Sequence, residues 1–315
     1  MKVSAVVVTY NRLSLLQRCI WAIRSQTESV HETIVVNNSS TDGTLEWLVK
    51  QQDLTIITQE NSGSSGGQRT GIAAALESGS DWIWVMDDDT EPAEDCVERL
   101  LECAHSMPAF VAPLVYGSKK ASFELYHNKR LIKTYFGFKY YTAEEWFPRK
   151  ENEDVTCLPI DANGFVGILI NAERAREVGL PREDFFILLD DLEYTFRLTR
   201  GFPAVMAPKA RVIHHDPPEF VAPGIFDPQN YWKLYYYVRN QIVFIRINRG
   251  RVCAILMGIT LLLGYSVRFI IRPRRETMGS LSLRYKGILD GLIGRGGKRV
   301  EPGQRSWLTW SEICR

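Results

Sequence analysis

Six cysteines are spread along the 315 residues with no Cys-x-x-Cys pair, which argues against a thiol metal site or redox motif. They read as ordinary reduced thiols of a cytoplasmic protein. The chain also lacks the Gly-Lys-Ser/Thr of a P-loop and the Gly-x-Gly-x-x-Gly spacing of a dinucleotide fingerprint. Its opening apolar run, residues 3–8, is too short for a signal core and leads into Thr9, Tyr10, Asn11 and Arg12, so no cleaved leader is expected. Residues 252–267 contain no charge, but sixteen residues fall short of the ~20 that span a bilayer. Acid is scarce at one end only. Residues 239–315 hold 4 Asp and Glu against 15 Lys and Arg, whereas residues 1–238 hold 33 against 23, so a net charge of +1 hides two opposite segments.

What the chain does have is acid at the end of apolar runs. Residues 82–86 (Trp-Ile-Trp-Val-Met) read as a buried strand and stop at Asp87, Asp88 and Asp89. Ligands of α/β sheets bind beyond the carboxyl ends of strands. Alternation along an extended segment would bring Asp87 and Asp89 to one side, with Asp88 pointing elsewhere. Oxygen ligands of this kind suit Mg²⁺ or Mn²⁺ carrying phosphate oxygens. A solvated acidic turn is the plainer alternative. A second apolar run, residues 185–189, reads as a strand and ends in Asp190, Asp191 and Glu193 at the start of a helix. The helix dipole alone accounts for one of these acids.

The rest of the chain alternates strand and helix. Strands are expected at residues 3–8, 33–36, 54–58, 82–86 and 110–115, with helices at 13–26, 45–49, 70–77 and 92–104. That order predicts an α/β fold with a largely parallel central sheet flanked by helices. Asn37 opens a polar turn at the end of the second strand. Residues 60–69, with three glycines and three serines, read as a loop before a helix, either an anion site or a plain flexible turn. Asp161 to Gly167 is a turn feeding another apolar strand, and residues 117–155 show weak periodicity that allows an insertion or lid. Two of the five histidines, His214 and His215, adjoin and offer a third metal ligand.

The tail from residue 229 is expected to be mostly helical. Arg249, Arg251, Arg268, Arg272, Arg274 and Arg275 bracket its apolar stretch, which suits a helix lying in an anionic lipid surface; a buried helix is the alternative. The basic residues do not form an aromatic-interleaved surface, so nucleic acid is not the expected partner. The glycines at 291, 294, 296 and 297 among Arg295, Lys298 and Arg299 suggest a mobile basic arm.

Five motifs in order carry a family resemblance. They are Val-Val-Val-Thr-Tyr-Asn-Arg (6–12), Val-Val-Asn-Asn-Ser-Ser-Thr-Asp-Gly-Thr (35–44), Asn-Ser-Gly-Ser-Ser-Gly-Gly (61–67), Trp-Ile-Trp-Val-Met-Asp-Asp-Asp (82–89) and Asp-Asp-Leu-Glu-Tyr-Thr-Phe-Arg-Leu (190–198). Together they resemble the inverting family 2 glycosyltransferases of GT-A fold, in the rhamnosyl- and galactofuranosyltransferase branch. The resemblance covers about residues 3–215, and more loosely Tyr237-Val238-Arg239-Asn240 in the tail. It implies a catalytic domain over 1–228; the basic, apolar extension over 229–315 is expected to contact the cytoplasmic face of the cell membrane peripherally. It implies a UDP- or dTDP-linked sugar donor and a glycan or polyprenyl-linked acceptor.

Residue by residue, the resemblance places Thr9, Asn11 and Asn37 at the nucleotide, with Asn61, Gly66 and Gly67 bordering it. Asp87 and Asp89 form the DxD pair, Asp88 lies beside the donor, and Arg69 is the candidate for the diphosphate. His215, more than His214, completes the sphere of Mn²⁺ or Mg²⁺. Asp191 is the general base, while Asp190, Glu193 and Gly164 face the acceptor. One departure stands out: the family usually has Asp-Asn where this chain has Asn37-Asn38, and an amide accepts more weakly than a carboxylate. Galactofuranose from UDP-galactofuranose is the favoured donor sugar, with dTDP-rhamnose the alternative. A sugar-1-phosphate nucleotidyltransferase and a non-catalytic glycan-binding protein are the rivals from other classes. The first lacks its early Gly-rich loop with Arg and Lys; the second would show no chemical rate to lose.

Overall fold

Strand β1 (Val3–Thr9) is apolar or small along its length and buried throughout, and the sheet grows from it on both sides. The computed structural model describes residues 1–117, 129–133, 138–142, 157–215, 228–271 and 278–307. On one side of β1 lie β2 (Glu32–Asn37) and then β3 (Leu54–Thr58); on the other lies β4 (Trp82–Asp87), all parallel. Helices α1 (Leu13–Arg24), α2 (Thr44–Leu48) and α3 (Gly63–Glu77) make the crossovers that parallel neighbours require. Beyond β4 the pattern changes. Strand β10 (Val166–Asn171) inserts antiparallel between β4 and β6 (Phe110–Gly117). Strand β11 (Ala204–His214) runs parallel to β6 and antiparallel to two short strands, β5 (Thr90–Pro92) and β9 (Leu158–Ile160). The full order is β3-β2-β1-β4-β10-β6-β11-β5, with β9 on β11. Strands β7 (Lys129–Lys133) and β8 (Phe138–Thr142) form a separate two-stranded sheet. The result is the expected α/β fold, with a mixed and mostly parallel sheet. The rest of the segment read as an insertion or lid lies outside the described residues.

Alternation along the strands gives two core faces, because helices cover both. Val3, Ala5, Val7, Trp82, Trp84 and Met86 pack with Leu16 and Ile20 of α1 and with Leu100 of α4 (Cys96–Ala104). Val6, Val8, Ile83 and Val85 pack with Ile72 and Ala75 of α3 and with Ala172 and Ala175 of α5 (Ala172–Val178).

Four local expectations are corrected. Helix α3 starts at Gly63, not Thr70, so the glycine stretch is helix rather than loop. Its glycines let the helix lie against β1: a Cβ at Gly67 would sit 2.5 Å from Val8 Cγ1, and one at Gly71 would overlap Val6 Cγ1. Close approach outweighs the poor helix propensity of glycine here. Helix α4 starts at Cys96, not residue 92, because Thr90–Pro92 pair with β11. The run 185–189 is not a strand. It follows a 3₁₀ turn (Glu183–Phe185), and Phe186, Leu188 and Leu189 adopt left-handed φ of 64°, 67° and 63°. Such backbone costs about 1–3 kcal/mol per residue and persists only where the surroundings hold it. Finally, Cys103 and Cys157 form a disulfide across 54 residues, with Cα atoms 5.9 Å apart, so the inference from six reduced thiols to a reducing compartment does not stand. Among the described residues Cys19, Cys96 and Cys253 are free.

The chain divides into two units. The first comprises Met1–Ile132, Tyr140–Arg182 and Asp191–Pro217; the second comprises Lys133–Lys139, Glu183–Asp190 and Pro218–Arg315. In the second, helices α7 (Tyr231–Arg249), α8 (Arg251–Ile271) and α9 (Met278–Ile293) pack with the segment 183–190. Leu234 lies in a buried cluster with Tyr235, Tyr236, Leu283, Val300 and Phe186. The Tyr235 hydroxyl and Lys286 Nζ each donate to Asp290 Oδ2 at 2.7 Å. Burial alone would raise Asp290, but these two bonds and the charges of Lys286 and Arg299 together outweigh it and hold the carboxyl below its ordinary value. The glycines after α9 are not a loose arm within the described residues: Val300 is buried, and the Tyr236 hydroxyl donates to its carbonyl.

Candidate active site

The strand register brings the expected nucleotide residues to one end of the sheet. Thr9 at the end of β1 pairs with Asn37 at the end of β2, and Val8 pairs with Asp87 at the end of β4. From that edge the Thr9 hydroxyl donates to Asp88 Oδ2 at 2.7 Å. Arg12, three residues on, donates from Nη1 to Asp89 Oδ2 at 2.7 Å and approaches Asp88 Oδ1 at 3.5 Å. Both carboxyls are buried. Burial pushes Asp88 up to about 7; the Arg12 charge opposes this, the Asp89 charge adds to it, and bonds from Thr9 and the Tyr10 amide oppose it. Asp88 therefore carries only part of a charge near neutral pH, which eases the crowding of three acids.

Asp87 also meets α3. Its Oδ1 accepts from Gln68 Nε2 at 2.9 Å, and Gln68 is itself fully buried on α3. Asp88 and Asp89 share the Arg12 cation. Alternation holds only to Asp87, where β4 stops and a turn carries the next two residues. Asp89 is flanked by the end of β11. The His215 amide donates to the Asp89 carbonyl at 2.8 Å, while His214 Nε2 lies 3.6 Å from Asp89 Oδ1. His215 instead places Nε2 2.5 Å from Glu91 Oε2. Asp89 Oδ1 is buried without a hydrogen-bond partner.

Among the described residues no three His, Cys, Asp or Glu side chains are grouped to hold an ion, so the set Asp87, Asp89 and His215 is not assembled. Asp89 and His214 nevertheless fit a divalent ion in donor type, one through a buried unpartnered oxygen and the other through an imidazole nitrogen. Neither Arg12 nor Gln68 carries a local signal, because each meets its acid across a long stretch of chain. His214 was the less favoured of two adjacent rings.

The nucleotide-side loops are built from amides. Asn11, at φ 54°, accepts from the Thr41 amide at 2.7 Å and donates its own amide to Ser40 Oγ at 3.0 Å. Asn37 Oδ1 accepts from the Ser40 amide at 3.0 Å, which fixes the side chain's orientation and leaves Nδ2 buried without a partner. Asn61 Oδ1 accepts from the Gly63 amide at 3.0 Å and so shapes the entry to α3. Gly66 lies over Ser62, where a Cβ would overlap the Ser62 hydroxyl. Arg69 donates to the Pro181 carbonyl at 3.0 Å; the cation that the structure puts on the acids is Arg12.

Helix α6 (Asp190–Leu198) carries the second group of acids. Asp191 is partly exposed, and its Oδ1 accepts from the Leu192 amide at 2.6 Å. Asp190 is buried and falls in the second unit. Glu193 is buried too, with Oε1 and Oε2 taken by Arg197 at 2.8 and 3.0 Å. Arg197 also donates to the carbonyls of Val178 and Leu180, so this ion pair ties α6 to the end of α5. The loop at Gly164 is stitched to the same helix: the Thr195 hydroxyl accepts from the Asn163 amide at 3.1 Å and lies 2.7 Å from the Asp191 carbonyl. The residue before Gly164 and the backbone of Asp191 are thereby held through one side chain.

Known proteins resemble this chain in sequence and in fold. The family described as glycosyl transferase family 2 matches residues 4–164. Galactofuranosyltransferase GlfT1 of Mycolicibacterium smegmatis is 32% identical over 224 residues, 67% of this chain and 70% of that protein. GlfT1 of Mycobacterium tuberculosis is 29% identical over 220 residues, 67% of this chain and 69% of that protein. Among solved structures, GalNAc-T7 with UDP, GalNAc and Mn²⁺ aligns with a TM-score of 0.57 at 13% identity, over 92% of this chain and 54% of its own. S. aureus TarS 1–349 aligns with a TM-score of 0.56 at 12% identity, over 94% of this chain and 82% of its own. The structures share the fold, and the sequence match over half the chain and more decides the family. With its GT-A fold and its likeness to galactofuranosyltransferases, the chain belongs to glycosyl transferase family 2.

Proposed function

We propose that this enzyme is an inverting, metal-dependent glycosyltransferase that moves galactofuranose from UDP-galactofuranose to a hydroxyl of a cell-surface glycan or its lipid-linked precursor. The observation that carries the reading is the acid cluster at the end of β4, beside the end of β1, with Asp89 Oδ1 buried, without a hydrogen-bond partner and 3.6 Å from His214 Nε2. The likeness to galactofuranosyltransferases supports the sugar. The free Nδ2 of Asn37 is a donor for a base carbonyl, which uracil and thymine both offer. Arg12 is half-exposed beside the acids and is placed to meet the diphosphate. Mn²⁺ or Mg²⁺ held by Asp89 and His214 would offset the charge that develops on the leaving nucleoside diphosphate. Asp191 takes the proton of the acceptor hydroxyl as its oxygen attacks the anomeric carbon from the opposite face.

Because Asn37 reads a feature common to both bases, dTDP-rhamnose is the second reading of the donor. Calorimetric titration with UDP, dTDP, UDP-galactofuranose, UDP-galactopyranose and dTDP-rhamnose in the presence of Mn²⁺ separates the two. Tightest binding of UDP-galactofuranose is expected; preference for dTDP-rhamnose would replace the donor, and no binding at all would sink the transferase reading.

The tail supplies a membrane contact in this proposal. Helix α8 is long and apolar enough to cross a membrane by length and composition, longer than its sixteen charge-free residues imply. One side is covered: Gly258 meets Leu292 and Ile288, and Ser266 bonds the Tyr285 hydroxyl. The other side exposes Val252, Ile255, Ile259, Leu263, Val267 and Ile270, with Arg251 and Arg268 also exposed. Arg272, Arg274 and Arg275 lie outside the described residues. A mostly exposed apolar helix with cations at both ends suits peripheral insertion into the cytoplasmic, anionic face of the bilayer. The full chain is expected to float with phosphatidylglycerol vesicles and the Ile259→Glu/Leu263→Glu variant to stay behind; equal flotation of both would refute this contact.

A further inference from the structure

The strained segment before the acids of α6 is held by two adjacent residues of α7. Arg239 and Asn240 are fully buried, and both donate to the backbone of that segment. Arg239 Nη2 donates to the carbonyls of Asp184 (2.9 Å) and Phe185 (2.7 Å), and Nη1 to that of Gly297 (2.6 Å). Its Nε donates to Asn240 Oδ1 at 2.9 Å, which turns the amide nitrogen of Asn240 toward the segment. Asn240 Nδ2 then meets the carbonyls of Phe185 (3.1 Å), Ile187 (2.9 Å) and Leu188 (2.7 Å). The guanidinium is further fixed over the Tyr236 ring, 4.9 Å from its centroid. These are carbonyls that a strand would have paired with a neighbour. With Phe186, Leu188 and Leu189 in left-handed backbone, these side-chain donors meet them, beside the Gly297 amide on the Asp184 carbonyl and the Ile187 amide on that of Phe185.

The segment passes without a linker into Asp190 and Asp191, the first residues of α6. We propose that Arg239 and Asn240 are positioning residues: by clamping 184–188 they fix the backbone from which the Asp191 carboxylate is presented. This rests on Asp191 being the general base. Misplacement of a reacting group by about 1 Å costs on the order of 10²-fold in rate, so a clamp of this kind has a kinetic signature distinct from packing.

The test uses the full chain with three variants. Asn240→Asp keeps the volume but replaces the amide donor with a carboxylate oxygen that repels the three carbonyls. Arg239→Lys keeps the charge but loses the fork. Phe244→Leu trims a buried ring of the same helix and leaves the clamp intact. Hydrogen exchange of residues 183–191, UDP binding by calorimetry, and kcat and KM for UDP release with a synthetic galactofuranosyl acceptor are measured on each. In Asn240→Asp and Arg239→Lys, exchange is expected to rise at least about tenfold. UDP affinity and donor KM stay within about twofold, and kcat falls about 10²-fold. Phe244→Leu keeps kcat within about threefold even if it melts as early as the clamp variants. Unchanged exchange overturns the clamp. Raised exchange with unchanged kcat, or an equal loss of kcat in Phe244→Leu, overturns its positioning role. A wild type that neither binds UDP nor releases it overturns the transferase reading instead, and the exchange data still judge the clamp.

Discussion

Replacing Asp191 with asparagine is expected to lower kcat for sugar transfer by about 10³-fold while leaving UDP binding within about twofold. A positioned general base contributes roughly 10²–10⁴-fold, and asparagine keeps the shape and the bond from the Leu192 amide while removing the proton acceptor. Asp191 suits the role because of where its neighbours go. Glu193 is spent on Arg197 and Asp190 is buried, whereas Asp191 is partly exposed at the first turn of α6. Glu193→Gln should behave differently, lowering thermal stability by loosening α6 from the end of α5 before it touches kcat. A kcat for Asp191→Asn within about tenfold of wild type would remove this residue from the chemistry.

The second large effect is expected from Asp89→Ala. Its Oδ2 takes Arg12 and its Oδ1 is the buried oxygen beside His214, so one truncation removes both functions proposed for the site. Mn²⁺-dependent binding of UDP-galactofuranose should weaken by about 10²-fold, and kcat should fall by about 10²–10³-fold, the range seen when a preorganised electrostatic group is removed. The fold should survive, since the cation left behind is half-exposed and can be hydrated. His214→Ala should weaken Mn²⁺-dependent binding in the same direction and His215→Ala should not, because His215 is directed at Glu91. Titration of Asp89→Ala with and without Mn²⁺ reads this directly. Wild-type affinity in both conditions would contradict the assignment.

The sheet was legible because its strands are apolar on both faces. Val3 to Val8, broken only by Ser4, and Trp82 to Met86 are apolar runs packed by helices on either side. The same signal misled at 185–189, where Phe186 is apolar because it packs among Tyr231, Tyr235 and Leu283, not because it pairs in a sheet. Periodicity does not distinguish these cases. Glycine read as loop at 63–67 because propensity is local, whereas the contact of Gly67 and Gly71 with Val8 and Val6 is tertiary. In the site, Thr9, Asn37 and Asp87 were legible as strand ends. The pairing of Asp88 with Asp89 was not, since alternation cannot be carried past the last strand residue. Arg12 and Gln68 meet their acids through the fold alone, as do Cys103 and Cys157, and no short-range pattern encodes such partners.

The most direct measurement is the anomeric configuration of the product formed from UDP-galactofuranose and a galactofuranosyl acceptor, read by proton NMR alongside released UDP. One UDP per sugar transferred, with a linkage opposite to that of the donor, is the predicted result. Retention of the donor configuration, or UDP release without any transferred sugar, would contradict direct displacement by a hydroxyl that Asp191 deprotonates.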